Sequence, residues 1–358
     1  MNSAAHSIAQ TVQRAAQARG FHLAGITRVP EPDSAEDFSE LARFQDWVAE
    51  GRAGSMDYLR RTDEAGKYLR SSLRIPFPWA RSVVVCAVSY NNAQPYSLHP
   101  SSENTGWIAR YAWSGQPGES SQPMESTSAS EEEAASTPAP QTMQPTDYHS
   151  VIRARLELLA EDMQAELGSF TARCFVDTGP LVERVYAKYA GLGWQGKNTC
   201  LIHPQLGSWF FLGVLITSLE LPVAAQPTPL PDRCGSCTRC IDACPTQCLE
   251  PYAMDASRCI AYLTIEKRGE ISEELQAAIG RNVFGCDICQ EVCPWNRRAP
   301  VTDWPELSAR PEMVNPALDW LASLGEADYK RLFRASPVAR TKQVGLQRNV
   351  AIAQRNQK

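Results

Sequence analysis

Cys234-Gly-Ser-Cys237-Thr-Arg-Cys240-Ile-Asp-Ala-Cys244-Pro245 is a C-x2-C-x2-C-x3-C-P run. Three thiolates at this spacing can close on three irons of one cube. The fourth points away and, in two-cluster ferredoxins, ligates the other cluster. A stretched second copy follows as Cys259, then Cys286, Cys289 and Cys293-Pro294. Two runs predict two [4Fe–4S] clusters, one on Cys234, Cys237, Cys240 and Cys293, the other on Cys244, Cys259, Cys286 and Cys289. Zinc prefers two separated C-x2-C pairs, and a disulfide framework needs an oxidising compartment, so both explain the doubled run less well. Cys248 falls between the runs and reads as a bystander.

Outward from this run, 358 residues with 43% hydrophobic content leave room for two or three domains with real cores. No apolar run reaches the about 18 to 20 residues of a membrane span. The opening MNSAAHSIAQTVQRAAQARG has the pattern of an amphipathic helix, with no h-region and no twin arginine. The expectation is a soluble, cytoplasmic protein, a monomer, with no membrane partner. Net charge is −5, yet residues 116–146 carry five glutamates and no base, so the remainder balances. Residues 330–358 hold eight Lys or Arg and no acid. Such a stretch suits a polyanionic partner, or else a solvated helix face.

Residues 4–19 place Ile8, Val12, Ala15 and Ala16 at helical spacing and stop at Gly20; Phe21–Ile26 then reads as a strand. A second helix carries Leu41, Phe44, Trp47 and Val48, and Ser82–Tyr90 is a β-branched run that predicts a buried strand. Residues 116–146 are rich in Ser, Thr, Pro, Gln and Glu, which predicts a disordered insertion. A strong helix with Val151, Ile152, Leu156, Leu159 and Met163 on its buried side comes next, then a strand at 173–176. Asp177-Thr-Gly-Pro180 follows that strand. An acid there sits where sheets of this kind place ligands, or it starts a turn or caps the next helix. Gly191 to Thr199 is a glycine-rich loop, neither G-x-G-x-x-G nor a P-loop, so no nucleotide can be read from it. The expected domains are an α/β domain at 1–225, a ferredoxin-like module at 226–304 and a basic helical segment at 305–358.

With the cysteine runs, Asp177-Thr-Gly-Pro180, the 191–199 loop and Thr264-Ile-Glu-Lys-Arg-Gly269 in view, the chain resembles the epoxyqueuosine reductases over nearly its whole length. The main departure is the insertion at 116–146. The resemblance implies a reductive-dehalogenase-like α/β domain that binds base-off cobalamin, with a short HEAT-like C-terminal piece. It implies reduction of the epoxide of epoxyqueuosine in tRNA, the last step of queuosine synthesis, with electrons from an external donor. A D-x-H-x-x-G motif is absent, since Asp147-x-His149 lacks the glycine three places on, so no protein imidazole need bind cobalt. Carried over by position, Asp177 matches the proton donor. Lys197, Asn198, Thr199 and Leu201 match the loop against the corrin, and Arg110, Tyr111 and Asp147 match segments lining the same cavity. Arg60 is a further cofactor candidate. Lys267 and Arg268 match a tRNA-contacting stretch, to which the basic tail adds Arg340, Lys342 and Arg348.

Two rivals share parts of this pattern. A cobalamin and two-cluster reductive dehalogenase predicts a twin-arginine signal and gives no reason for the basic tail. A noncatalytic electron carrier leaves about 220 residues of α/β domain without a role.

Overall fold

The computed structural model describes residues 2–31, 38–93, 95–99, 102–117, 143–222 and 229–357. The run at 82–90 is a strand, Ser82–Ser89, buried at every position. Period-two alternation explains how. Val84, Cys86 and Val88 face one core with Val12, Ile152, Leu156 and Leu159. Val83, Val85 and Ala87 face the opposite core with Leu41, Val185 and Tyr186. Helices therefore cover both faces: Asn2–Ala18 and Tyr148–Leu167 on one, Ser39–Ala49 and Glu183–Tyr189 on the other. The sheet order is Leu23–Arg28, Ser82–Ser89, Phe210–Thr217, Ala172–Phe175, and every pairing is antiparallel. Phe210–Thr217 is a central strand, apolar on both sides because it too is sandwiched.

Residues of all three expected parts share one further core. Trp107–Ile108 pairs in parallel with Asn282–Phe284. These residues pack with Trp113, Leu318, Leu321, Leu346 and Val350. The C-terminal segment is helical as expected, with helices Leu318–Ser323, Glu326–Phe333 and Lys342–Asn356.

The ends of the insertion differ from the expectation of disorder. Ser114–Pro117 pairs with Met143–Pro145 on one side and with Ser308–Ala309 on the other. Ser114 Oγ donates to the Thr146 carbonyl at 2.9 Å, and Thr146 Oγ1 donates to the Glu306 carbonyl. Neighbouring strands supply the backbone partners that the composition of 116–117 and 143–146 could not reveal. The remainder of that expectation, residues 118–142, lies outside the described residues. Among the described residues no helix is long and apolar enough to cross a membrane.

Candidate active site

Several of the eight candidate ligand cysteines come together across the two runs. Cys293 packs with Cys234 beside Trp194 and Trp295 and feels the charges of Cys234 and Cys240. Cys286 feels those of Cys259 and Cys244, and Cys289 those of Cys286 and Cys259. None of these thiols is in a disulfide. Among the described residues no three acidic, His or Cys side chains converge on a single ion. The surroundings suit thiolates. Trp194 Nε1 finds no oxygen or nitrogen partner and is turned to Cys234, which also receives the Lys197 backbone N–H. Backbone N–H groups of Ala261 and Tyr262 reach Cys259, and that of Ile288 reaches Cys286. Such N–H···S bonds stabilise metal-bound sulfur and tune cluster potential. Burial pushes the Cys286 thiol well up, a barrier that a bound cation overcomes by deprotonating the thiol outright.

Cys248 is no remote bystander. Its Sγ lies 3.5 Å from Cys244 Sγ, because the Cys244–Cys248 turn brings both sulfurs to one side. Cys200, which the spacing argument passed over, makes a thiol–thiol hydrogen bond with Cys289.

Asp177 follows the strand Ala172–Phe175 in a left-handed conformation, φ 55°, which costs a non-glycine residue energy unless neighbours hold it. Three contacts do. Tyr148 Oη donates to Asp177 Oδ2 at 3.1 Å, the Asp177 backbone N–H donates to Glu183 Oε1 at 2.7 Å, and Arg70 Nη2 donates to the Gly179 carbonyl at 2.8 Å. The carboxyl group is exposed. Glu183 is half-buried; burial and then the charge of Asp177 push its carboxyl up to about 8. Burial and the Asp177 charge likewise push the Tyr148 and Tyr111 hydroxyls well up, so both remain neutral donors. Tyr148 stacks on Phe211 at 4.0 Å and meets Tyr111 edge-on at 6.2 Å. Tyr58 sits beneath two guanidiniums, Arg70 at 5.6 Å and Arg340 at 5.3 Å.

Tyr58, Arg70, Tyr148 and Glu183 were missed in the sequence. Tyr148 could have been found, since it stands between the Asp and His of Asp147-Tyr-His149. Glu183 could have been suspected from the spacing Asp177…Glu183, where the second acid opens a helix.

Several expected corrin residues are committed elsewhere. Arg110 is 1% exposed. Its guanidinium donates to Asn91 Oδ1 at 3.2 Å, to the Asn92 carbonyl and to the Pro95 carbonyl at 3.2 Å, among the rings of Tyr96, Trp113 and Trp209. A guanidinium so enclosed braces the scaffold. Leu201 is buried in the sheet core. Asp147 caps the helix Tyr148–Leu167 and binds His149 Nδ1 at 2.6 Å. Burial pushes its carboxyl up, but the bonds from His149 outweigh that and leave it below the usual range. Arg60 is tied to Asp57 at 2.7 Å and to the Gly54 carbonyl at 2.8 Å.

The glycine-rich loop joins the two halves of the site. Lys197 Nζ donates to the carbonyls of Gly235 and Cys237 at 2.6 and 3.1 Å, and buried Asn198 Nδ2 donates to the Cys289 carbonyl at 3.2 Å. Thr199, also left-handed at φ 63°, accepts from Arg184 Nη1 at 2.7 Å through its carbonyl. Of the basic residues, Arg340 pairs in bidentate fashion with Glu266 at 2.9 and 3.0 Å, and Arg268 donates to the Arg340 carbonyl at 2.8 Å. Lys342 is exposed. Arg348 points inward, donating to the carbonyls of Leu263, Lys267 and Gly269 at 2.7, 2.9 and 2.8 Å. Its donors are used in shaping the 263–269 turn, so Arg348 is a brace of that turn rather than a phosphate contact.

Paired cluster ligands joined through one loop to an acid with a neutral tyrosine on it define an iron–sulfur oxidoreductase. The comparisons with known proteins agree. The family model described as "4Fe-4S double cluster binding domain" matches residues 233–296. "Epoxyqueuosine reductase QueG, DUF1730" matches residues 70–116 and 123–178. An epoxyqueuosine reductase of Xanthomonas campestris is 37% identical over 349 residues, 96% of this chain and 85% of that protein. One from Synechocystis is 36% identical over 331 residues, 91% and 98% respectively. The crystal structure of an epoxyqueuosine reductase bound to an epoxyqueuosine-modified tRNA-Tyr stem loop superposes with a TM-score of 0.78 at 27% identity, covering 99% of this chain and 82% of that one. A selenomethionine-labelled epoxyqueuosine reductase gives 0.79 at 26% identity, with the same coverage. The chain belongs to the epoxyqueuosine reductase family, and its reaction is an oxidoreduction.

Proposed function

We propose that the chain reduces the epoxide of epoxyqueuosine in tRNA to the cyclopentene of queuosine, with Asp177 as the proton donor. The observation that carries this reading is a continuous bonded path from acid to cluster. Asp177 N–H meets Glu183, the adjoining Arg184 meets the Thr199 carbonyl, and Asn198 meets the Cys289 carbonyl. Removing the epoxide oxygen consumes two electrons and two protons and releases water. Two clusters can pass the electrons singly, and the acid can serve the oxygen.

The family's cobalamin fits the residues present. Tyr58, Tyr111 and Tyr148 surround Asp177 with aromatic faces. His149, the imidazole nearest in sequence, is held on Asp147 and stacked on Tyr148 at 4.0 Å, which suits a base-off cofactor without a protein imidazole on cobalt. When bound, the corrinoid supplies a cobalt centre that collects single electrons and delivers them to the epoxide. Tyr111 and the 197–199 loop would hold it. Lys197 and Asn198 fix that loop against the cluster module, Tyr148 aims the Asp177 carboxyl, and Asp177 gives its proton to the departing oxygen.

Around the first cluster Arg233, Ser236 and Arg239 are exposed, which offers the external electron donor its approach. The anticodon loop, single-stranded and able to splay a base into a pocket, would meet Lys267, Arg268, Arg340 and Lys342. We place the protein in the cytoplasm as a monomer. Anaerobic incubation with epoxyqueuosine-containing tRNA, cobalamin and titanium(III) citrate should yield queuosine, and Asp177→Ala should keep clusters and cofactor but abolish turnover. No queuosine from the parent protein refutes the activity; full turnover in the variant refutes the role of Asp177.

A further inference from the structure

The structure assigns Glu183 as the positioning residue that stores the proton Asp177 delivers, so that the acid of the reaction is a carboxyl pair rather than one aspartate. This inference rests on the proposed reduction and deepens it. The Asp177 carboxyl is exposed, and among the described residues its side-chain hydrogen bond is donated by the neutral Tyr148 hydroxyl.

Glu183 changes the situation through geometry. Its Oε1 accepts the backbone N–H of Asp177 itself at 2.7 Å, which leaves Oε2 as the oxygen able to carry a proton. Across the described residues it forms no ion pair that would hold it as a carboxylate. The charged and titratable groups that face the two acids are Arg70, Arg184, Arg340 with its partner Glu266, and tyrosines 58, 111 and 148. The cations are engaged in other contacts: Arg70 on the carbonyls of Tyr58 and Gly179, Arg184 on that of Thr199, Arg340 on Glu266. Burial and the neighbouring Asp177 carboxyl both disfavour ionisation of Glu183, which is held on the Asp177 N–H, so the pair retains one proton through neutral pH and titrates as a unit. The upward shift of Glu183 to about 8 agrees with that geometry.

The proton balance is direct. Conversion of epoxide to alkene takes up two electrons, which the external donor supplies through the clusters, and two protons. Asp177 gives one proton to the oxygen as the first C–O bond breaks. That is the single proton the pair holds, and solvent returns one to it through water at the exposed Asp177 carboxyl. Asp177 passes that proton to the hydroxyl that leaves as water with the second C–O bond. Solvent reloads the pair before the next turnover.

Glu183→Gln separates storage from simple loop support, because a Gln oxygen still accepts the Asp177 N–H but the side chain cannot titrate. With saturating stem-loop RNA and titanium(III) citrate, kcat of the parent protein should stay level up to about pH 8 and then fall. In Glu183→Gln the falling limb should move toward the ordinary carboxylate range, with a loss at pH 7 on the order of a hundredfold. Glu183→Asp should restore part of the alkaline range. A second readout needs no turnover: infrared titration of the cluster-loaded full chain should show a protonated-carboxyl stretch that disappears near pH 8 and is missing in Glu183→Gln. A Gln variant with parent activity and pH profile, or one that keeps the stretch, overturns the assignment. If the parent protein forms no queuosine, the activity fails, while the infrared result still decides whether the pair shares a proton.

Discussion

Tyr148→Phe tests whether the hydroxyl on Asp177 matters to turnover, and its expected size can be worked from the contacts. The substitution removes the 3.1 Å bond to Asp177 Oδ2 and little else, because the ring keeps its parallel stack on Phe211 at 4.0 Å and 4°. Hydrogen bonds to charged groups are worth about 1.5–3 kcal/mol, less where water can take the donor's place. Asp177 is exposed, so water replaces Tyr148 and the low end applies, about 1.5 kcal/mol or a factor of about ten. The loss belongs in kcat rather than KM, since Tyr148 bonds to the proposed acid. Single-turnover formation of queuosine with excess titanium(III) citrate, followed by mass spectrometry of the nucleosides, measures it. A rate within twofold of the parent, or a raised KM at unchanged kcat, would refute the orienting role; a fall beyond about a thousandfold would mean that Tyr148 transfers the proton itself.

Three further outcomes follow from the same geometry. Cys293→Ser should remove the cluster of the first cysteine run and Cys244→Ser that of the second, each leaving about half the iron; electron paramagnetic resonance of the reduced protein tells the two apart, and the reverse pattern sinks the crossed ligation. Neutralising Arg340 and Lys342 should flatten the dependence of RNA affinity on salt by roughly 0.7 in log–log slope per lost phosphate contact, whereas Arg348→Gln should leave the slope alone and lower the melting temperature, and equal slope changes in both would return Arg348 to the interface. Leu201→Ala should destabilise the sheet core by about 2–5 kcal/mol while corrinoid binding, read by absorption, is retained; lost binding in a stably folded variant would put Leu201 back against the corrin.

The cluster module was legible because its information is local. Cysteine spacing limits which sulfurs can reach one cube, and Cys-Pro marks where the chain turns away, so two clusters could be read in order along the chain and a crossed set of eight ligands proposed for them. The buried strand at 82–89 was legible for a similar reason, since a run apolar at every position has to be covered on both faces. The direction of its neighbours was not, because an apolar strand pairs equally well either way and only the paths of the connections decide. The order at 116–117 and 143–146 also escaped, since the two stretches pair with each other across the insertion and are anchored by bonds to residues 306–309, far along the chain.

The acid site shows the division most clearly. Sequence supplied Asp177, by resemblance, and a loop at 197–199. It could not distinguish a basic residue open to solvent from one whose donors the protein uses, because it is their surroundings that set Arg110 and Arg348 apart from Lys342 in this respect. Nor could it show that a glutamate six places on accepts the backbone N–H of Asp177, or that Tyr148 meets its carboxyl. Ligand identity and the number of clusters follow from which residues the chain contains and how they are spaced. Proton affinity, orientation and the link from acid to cluster depend on burial and on distances of a few ångströms between segments remote in sequence, and these exist only once the chain has folded.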